Sequence, residues 1–101
     1  MDKKILLVDD AAFMRMLIRN TLTTNGYTNI LEAADGEIAV STYSAEKPDL
    51  VIMDITMPNK TGIEALKEIK AMDPNAKVVM CSAMGQEAMV VEAIKLGALD
   101  F

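Results

Sequence analysis

The chain alternates short runs of consecutive apolar residues with longer segments in which apolar residues recur at helical spacing. The apolar runs predict strands at residues 4–9, 28–34, 49–54 and 77–82, and Glu32 interrupts the second run, which is the weakest. The segments between the runs predict helices, as does the stretch 86–96, which Gly97 follows. Strand and helix in alternation are typical of an α/β domain.

The first predicted helix has one apolar stripe, which we expect to face the sheet. The stripe consists of Phe13, Met14, Leu17, Ile18 and Leu22, and it lies opposite Arg15, Arg19 and Asn20. Gly26 follows as the predicted C-terminal stop of this helix.

The strand runs are apolar at consecutive positions, a pattern typical of parallel strands that helices cover on both faces. Right-handed crossovers leave few arrangements for such a chain and favour the doubly wound order 2-1-3-4-5. At 101 residues there is room for one core. The sequence therefore predicts a single α/β domain over residues 1–101, a three-layer flavodoxin-like parallel sheet with strands 1 and 3 adjacent and strand 2 at an edge.

Three of these runs end on side chains that can bind metal or phosphate: Asp9 and Asp10, then Asp54, then Ser82. In a parallel sheet these ends share one edge, where ligands bind. Clustered carboxylates repel one another, and either a bound hard cation such as Mg²⁺ or a raised pKa on one of them relieves the repulsion. An Asp carboxylate can also attack phosphorus. The pattern thus indicates Asp54 as nucleophile, Asp9 and Asp10 as metal ligands, and Ser82 as phosphate sensor. Each residue alone would more simply be a turn or helix cap, but their joint arrangement favours a site.

Composition narrows the class of protein. The net charge is −5 and the Lys and Arg residues are scattered, which argues against nucleic acid or an anionic membrane as partner. No histidine is present, so the commonest general base and most zinc sites are excluded. The single Cys81 fits a reducing compartment, and the first apolar run is too short for a signal peptide or membrane span. We expect a cytoplasmic protein.

Several segments together resemble the receiver domains of response regulators. They are residues 6–10 (LLVDD), 51–58 (VIMDITMP) with Gly62 four positions later, and 79–83 (VMCSA). Within that family, residues 13–15 (FMR) and 82–85 (SAMG) are similar to stand-alone chemotaxis proteins of the CheY type from thermophilic bacteria and archaea. The strand order 2-1-3-4-5 is the order of CheY itself, so it is not independent of this resemblance.

The resemblance implies a role for each position of the acidic site. Asp54 would be the phosphoacceptor, taking phosphate from a phosphohistidine on a CheA-like histidine kinase. Asp10 would bind Mg²⁺ directly and Asp9 mainly through water, while the backbone carbonyl of Thr56 would complete the protein's share of the coordination shell.

The resemblance also implies how the phosphate is sensed. Ser82 matches the switch hydroxyl and Phe101 the switch aromatic, so that phosphate would bias a two-state surface. A motility switch or adaptor protein would bind that surface, and a phosphatase is a further expected partner. Such a protein is modified stoichiometrically and is not an enzyme with multiple turnover.

The sequence departs from the family after Phe101, where receivers continue through a fifth strand, a conserved Lys-Pro and a fifth helix. Most of strand 5 and all of helix 5 are lacking, so we expect a weakened readout, and either lower stability or association into a homo-oligomer through the incomplete edge. The predicted helix 86–96 is apolar around its circumference. It would either form a partner-binding face or pack under the fifth helix.

Three functions are compatible with these features: a phosphoryl-switch receiver, a receiver-like binding module that is not phosphorylated, and a phosphohydrolase that forms an aspartyl phosphate. The absent lysine favours the binding module, whereas the complete acidic set opposes it. Against the hydrolase, no insertion is long enough to form a cap, and Thr56 stands where a second Asp would be needed.

Overall fold

Strand and helix alternate along the chain as predicted. A computed structural model describes residues 3–55, 57 and 59–81. The elements, in chain order, are β1 Ile5–Val8, α1 Ala12–Thr24, β2 Ile30–Ala33, α2 Gly36–Glu46, β3 Leu50–Asp54, α3 Gly62–Met72 and β4 Val78–Cys81. No helix among these residues is long and apolar enough to cross a membrane.

The four strands form one parallel sheet in the order β2-β1-β3-β4. This confirms the doubly wound flavodoxin-like arrangement, with β2 at the edge and β1 beside β3. Val8 at the end of β1 pairs with Met53 of β3, and Asp54 pairs with Cys81 of β4. The strands therefore end nearly level, so residues that follow them meet at one edge. The fifth strand of the predicted order and the predicted helix 86–96 lie outside the described residues.

One face of the sheet carries the larger core, which α2 and α3 cover. Alternate strand residues point to this face because successive side chains of a strand lie on opposite sides of the sheet. The strands contribute Leu6, Val8, Ala33, Val51, Met53, Val78 and Met80, and the helices contribute Ala39, Tyr43, Ile63, Ala65, Leu66 and Ile69. Consecutive apolar residues in the strands are thus explained by burial on both faces.

The other face is covered by α1 and is less deeply buried. Ile5, Leu7 and Ile30 are its buried residues among those described, and Ile18, Leu22, Leu50 and Ile52 pack partly buried against them. No residue of α1 itself is buried.

The predicted apolar stripe of α1 is wrong at three positions. Phe13 is 64% exposed, and Met14 and Leu17 are each 42% exposed, so only Ile18 and Leu22 pack on the sheet. Phe13 and Leu17 lie roughly 100° or more around the helix from Ile18. The helix is instead turned so that its arginines reach the β2 edge.

The helix ends differ in how their backbone groups are satisfied. Thr61 and Glu64 form a capping box at the start of α3, with reciprocal hydrogen bonds of 3.2 and 3.0 Å. The Asp35 carboxylate caps α2 by accepting from the Ile38 N–H at 2.9 Å. Ala11 precedes α1 without a side-chain cap. Beyond α1, Gly26 has a φ of +92°, which fits its prediction as a helix stop.

Candidate functional site

Three acids meet at the carboxyl edge of the sheet. Asp9 and Asp10 directly follow β1, and Asp54 is the last residue of the neighbouring β3. Each can offer one carboxylate oxygen such that all three oxygens lie within 4.8 Å of one another. The structure therefore brings together the acids that the sequence predicts to share this edge.

The donor set of this cluster suits a hard divalent cation. Oxygen ligands on opposite sides of an octahedral Mg²⁺ ion are about 4 Å apart, because Mg²⁺–oxygen distances are about 2.0–2.1 Å. The carboxylate oxygens of Asp9, Asp10 and Asp54 lie within 4.8 Å of one another, which is close to that separation. Asp10 is exposed and the other two are half-buried, so water can reach the cluster and complete a coordination shell. The residues present thus fit Mg²⁺.

The surroundings of Asp9 act on the pKa of its carboxyl in both directions. Burial raises its pKa above the ordinary value, and the neighbouring Asp10 carboxylate raises it further. The Ala11 N–H, which donates to Asp9 Oδ1 at 2.9 Å, and the Arg15 guanidinium act in the opposite direction. A bound cation would also favour the ionised form of Asp9.

The backbone of Asp54 packs directly against the start of α3. A Cβ built on Gly62 would lie 2.1 Å from the Asp54 carbonyl oxygen, well inside contact distance. The Gly62 N–H donates to the Ile55 carbonyl at 2.7 Å. Residue 62 must therefore be glycine for the end of β3 and the start of α3 to approach this closely.

Sequence reasoning missed the contribution of Arg15 to this edge. We predicted that Arg15 lies opposite the stripe facing the sheet, yet its guanidinium donates to the Asp9 backbone carbonyl and pairs with Glu32 of β2. No local sequence signal marks such a contact, since it depends on how α1 is rotated on the sheet.

Three predicted site residues lie outside the described part of the chain. These are Thr56, Ser82 and Phe101. Their roles as carbonyl ligand, switch hydroxyl and switch aromatic stay predictions.

A cavity lined by described residues lies away from the acids. It has a volume of about 420 Å³ and is lined by Tyr43, Ser44, Lys47, Met72 and Asp73. Lys47 and Asp73 precede β3 and β4, so the cavity is at the amino ends of the strands. The acidic cluster is consequently a surface site at the opposite edge.

Comparison with known proteins decides the family. A family model described as the response regulator receiver domain matches residues 5–101. The chain belongs to the response-regulator receiver family. The chemotaxis protein CheY of Thermotoga maritima is 58% identical to this receiver over 101 residues, which are all of this chain and 84% of that protein. CheY of Bacillus subtilis is 56% identical over 101 residues, with the same coverage of both chains.

Solved receiver structures share its fold. A CheX–CheY–BeF₃–Mg²⁺ complex from Borrelia burgdorferi matches with a TM-score of 0.90 and 40% identity, over 95% of this chain and 73% of that one. The response regulator domain of Thermotoga maritima CheB matches with a TM-score of 0.88 and 40% identity, over 100% of this chain and 77% of that one. The receiver is therefore of the CheY type in both sequence and fold.

Proposed function

We propose that this receiver domain is the phosphoryl switch of a two-component pathway that controls chemotaxis. Asp54 accepts the phosphoryl group from a phosphohistidine on a CheA-like histidine kinase, and Asp9, Asp10 and Asp54 bind the Mg²⁺ ion. The observation that carries the proposal is the grouping of three carboxylate oxygens within 4.8 Å at the carboxyl edge of the sheet. The CheY relatives support the assignment to chemotaxis.

The transfer is a substitution at phosphorus. One carboxylate oxygen of Asp54 forms a bond to phosphorus, the phosphorus–nitrogen bond of the donor histidine breaks, and its electron pair stays with the imidazole. Bound Mg²⁺ supplies positive charge that offsets the negative charge of the phosphoryl oxygens and of the acids. The product is an acyl phosphate on Asp54 and a free histidine on the kinase.

The described residues orient this reaction. Gly62 and the pairing with β4 hold the backbone of Asp54, so its side chain projects from a rigid strand end. Asp10 is exposed, which leaves the site open to a protein donor.

Three residues outside the described part of the chain complete this proposal. The backbone carbonyl of Thr56 is a further Mg²⁺ ligand, the hydroxyl of Ser82 is the switch hydroxyl, and the ring of Phe101 is the switch aromatic.

Phosphorylation changes the surface that a partner protein binds, and the receiver does not act as an enzyme with multiple turnover. Each chain is modified once on Asp54 and later loses the phosphate to water, alone or with a phosphatase. The phosphorylated form binds a motility switch or adaptor protein in the cytoplasm. The structure of a CheY relative in complex with a second protein, CheX, supports a protein partner for this surface.

Reaction with acetyl phosphate tests the proposal. Protein is incubated with acetyl phosphate and Mg²⁺, and the added mass is located by intact and peptide mass spectrometry. We expect one phosphoryl group per chain on Asp54, absent after chelation of Mg²⁺ and absent in Asp54→Asn. The exposed acid Glu37, at the start of α2, gives the matched control Glu37→Gln, which should react like the wild type.

The other outcomes identify the competing functions. No adduct on a folded protein would contradict the switch and favour a pure binding module. Release of phosphate from many small esters with multiple turnover would contradict it in favour of a phosphohydrolase. An adduct on a residue other than Asp54 would overturn the assignment of the acceptor.

A further inference from the structure

A cluster of two arginines and one glutamate joins α1 to the edge strand β2. Arg15 Nε lies 2.8 Å from Glu32 Oε1, and Arg19 Nη2 lies 2.7 Å from Glu32 Oε2. The Arg15 side chain is 16% exposed, the lowest fraction of any ion-pair member among the described residues. Its hydrogen bond holds the pKa of Glu32 below the ordinary value, so Glu32 is ionised at neutral pH.

Arg15 also contacts the turn that carries the metal ligands. Its Nη1 donates to the backbone carbonyl of Asp9. The same turn is held by the Asp9 N–H, which donates to the Ala33 carbonyl at 3.2 Å, and by the Ala11 N–H on the Asp9 carboxylate. Glu32 directly precedes Ala33 on β2. One guanidinium therefore joins the Asp9 carbonyl to the strand next to it.

The geometry suits a guanidinium better than any other side chain. Its planar fork carries donors in fixed directions and can serve two acceptors at once, and it stays charged. Arg19 differs in one respect. Its described hydrogen bonds go to Glu32 and to the Ile30 carbonyl, at 2.8 and 3.3 Å, and none goes to the turn. The two arginines thus share an anion but only Arg15 reaches the site.

We propose that Arg15 is a positioning residue that fixes the turn at Asp9 and thereby sets the affinity of the acidic site for Mg²⁺. Glu32 holds the guanidinium in place. The part of this inference that concerns Mg²⁺ rests on the proposed function.

The positive charge of Arg15 and its positioning role predict opposite effects on Mg²⁺ affinity when Arg15 is replaced. A positive charge near the site repels a cation, so its loss alone would tighten Mg²⁺ binding. Loss of the brace lets Asp9 and Asp10 move away from Asp54, which weakens binding. Residues that orient metal ligands typically change affinity by about 10-fold or more when they are mutated.

The experiment compares Arg15→Met with the matched control Arg19→Met. Mg²⁺ dissociation constants are measured by calorimetry on proteins whose folding is checked by circular dichroism. We expect the constant to rise about 10-fold in Arg15→Met and to stay near the wild-type value in Arg19→Met. Arg15→Lys keeps the charge but lacks the fork, so it should also weaken binding, and it serves if Arg15→Met does not fold.

A second readout needs no metal. Hydrogen exchange of the Asp9 and Ala11 amides, followed by NMR, should be faster in Arg15→Met and Arg15→Lys but not in Arg19→Met. Unchanged exchange, or Mg²⁺ binding that is equal or tighter in the Arg15 variants, would overturn the inference. If the wild type binds no Mg²⁺, the proposed function fails, while the exchange rates still decide whether Arg15 braces the turn.

Discussion

Helices cover the two faces of the sheet in different ways. On the α2–α3 face, both helices bury side chains deeply in the core, as Leu66 and Tyr43 show, and each helix has a side-chain N-cap. On the α1 face, the helix has no buried residue and no side-chain cap, and its polar contacts run from Arg15 and Arg19 to Glu32.

The two faces therefore contribute to different properties of the receiver, one to its stability and the other to its acidic site. The α2–α3 face supplies most of the described hydrophobic burial and therefore most of the free energy of folding that these residues contribute. The α1 face adds less burial but holds the turn at Asp9 through an arginine. Mutations on the first face should chiefly change stability, whereas polar mutations on the second should chiefly change the site.

The largest expected effect tests the difference in burial. Leu66→Ala on α3 removes a side chain that is 0% exposed and should lower the free energy of unfolding by about 3 kcal/mol. Leu17→Ala on α1, at 42% exposure, should cost roughly 0.5 kcal/mol. Urea unfolding followed by circular dichroism gives both values. Equal losses would show that Leu17 is covered in solution and would remove the contrast between the faces.

A smaller effect tests the contrast in helix capping. Thr61→Ala removes the capping box of α3 and should cost about 1 kcal/mol. Ala11→Ser should instead add a cap to α1, whose N-cap residue already has the extended backbone that capping needs, and gain on the order of 0.5 kcal/mol. The exposed Thr23→Ala, near the end of α1, is the control for loss of a hydroxyl. A loss of stability in Ala11→Ser would contradict this account of α1.

A third comparison concerns the pH dependence of stability on the α2–α3 face. The pKa of Tyr43 is raised from 10.0 to about 12, chiefly by burial and also by the Asp73 carboxylate, which accepts a hydrogen bond from the Tyr43 hydroxyl at 2.8 Å. Because the folded pKa is the higher one, the stability from this proton is complete below pH 10 and is lost as pH rises towards about 12.

Ultraviolet titration measures this shift. In a Tyr27→Phe background, Tyr43 is the only tyrosine and its absorbance reports its ionisation. Adding Asp73→Asn should lower the midpoint only in part, because burial, the largest single cause, remains in this variant. A midpoint that returns to the ordinary value of 10.0 would show that burial contributes little, and would weaken the picture of a tightly closed face.

Much of the architecture was predictable because it depends on local patterns. Apolar runs without alternation predicted buried parallel strands, and the order β2-β1-β3-β4 confirmed the doubly wound sheet. The grouping of Asp9, Asp10 and Asp54 followed from that order, since the ends of adjacent parallel strands lie together. The prediction that the apolar stripe of α1 faces the sheet was wrong at Phe13 and Leu17, which are exposed. An apolar pattern shows which residues could be buried, but it does not show which of them are.

The sequence by itself determined which residues end the strands and that helices cover both faces, because strand ends and periodicity are properties of neighbouring residues. Only the tertiary structure decided that Gly62 touches the Asp54 carbonyl and that Arg15 holds the turn at Asp9. These contacts depend on how a helix packs and is rotated against the sheet. That rotation is a balance of packing and ion pairs over many residues, and no short pattern contains it.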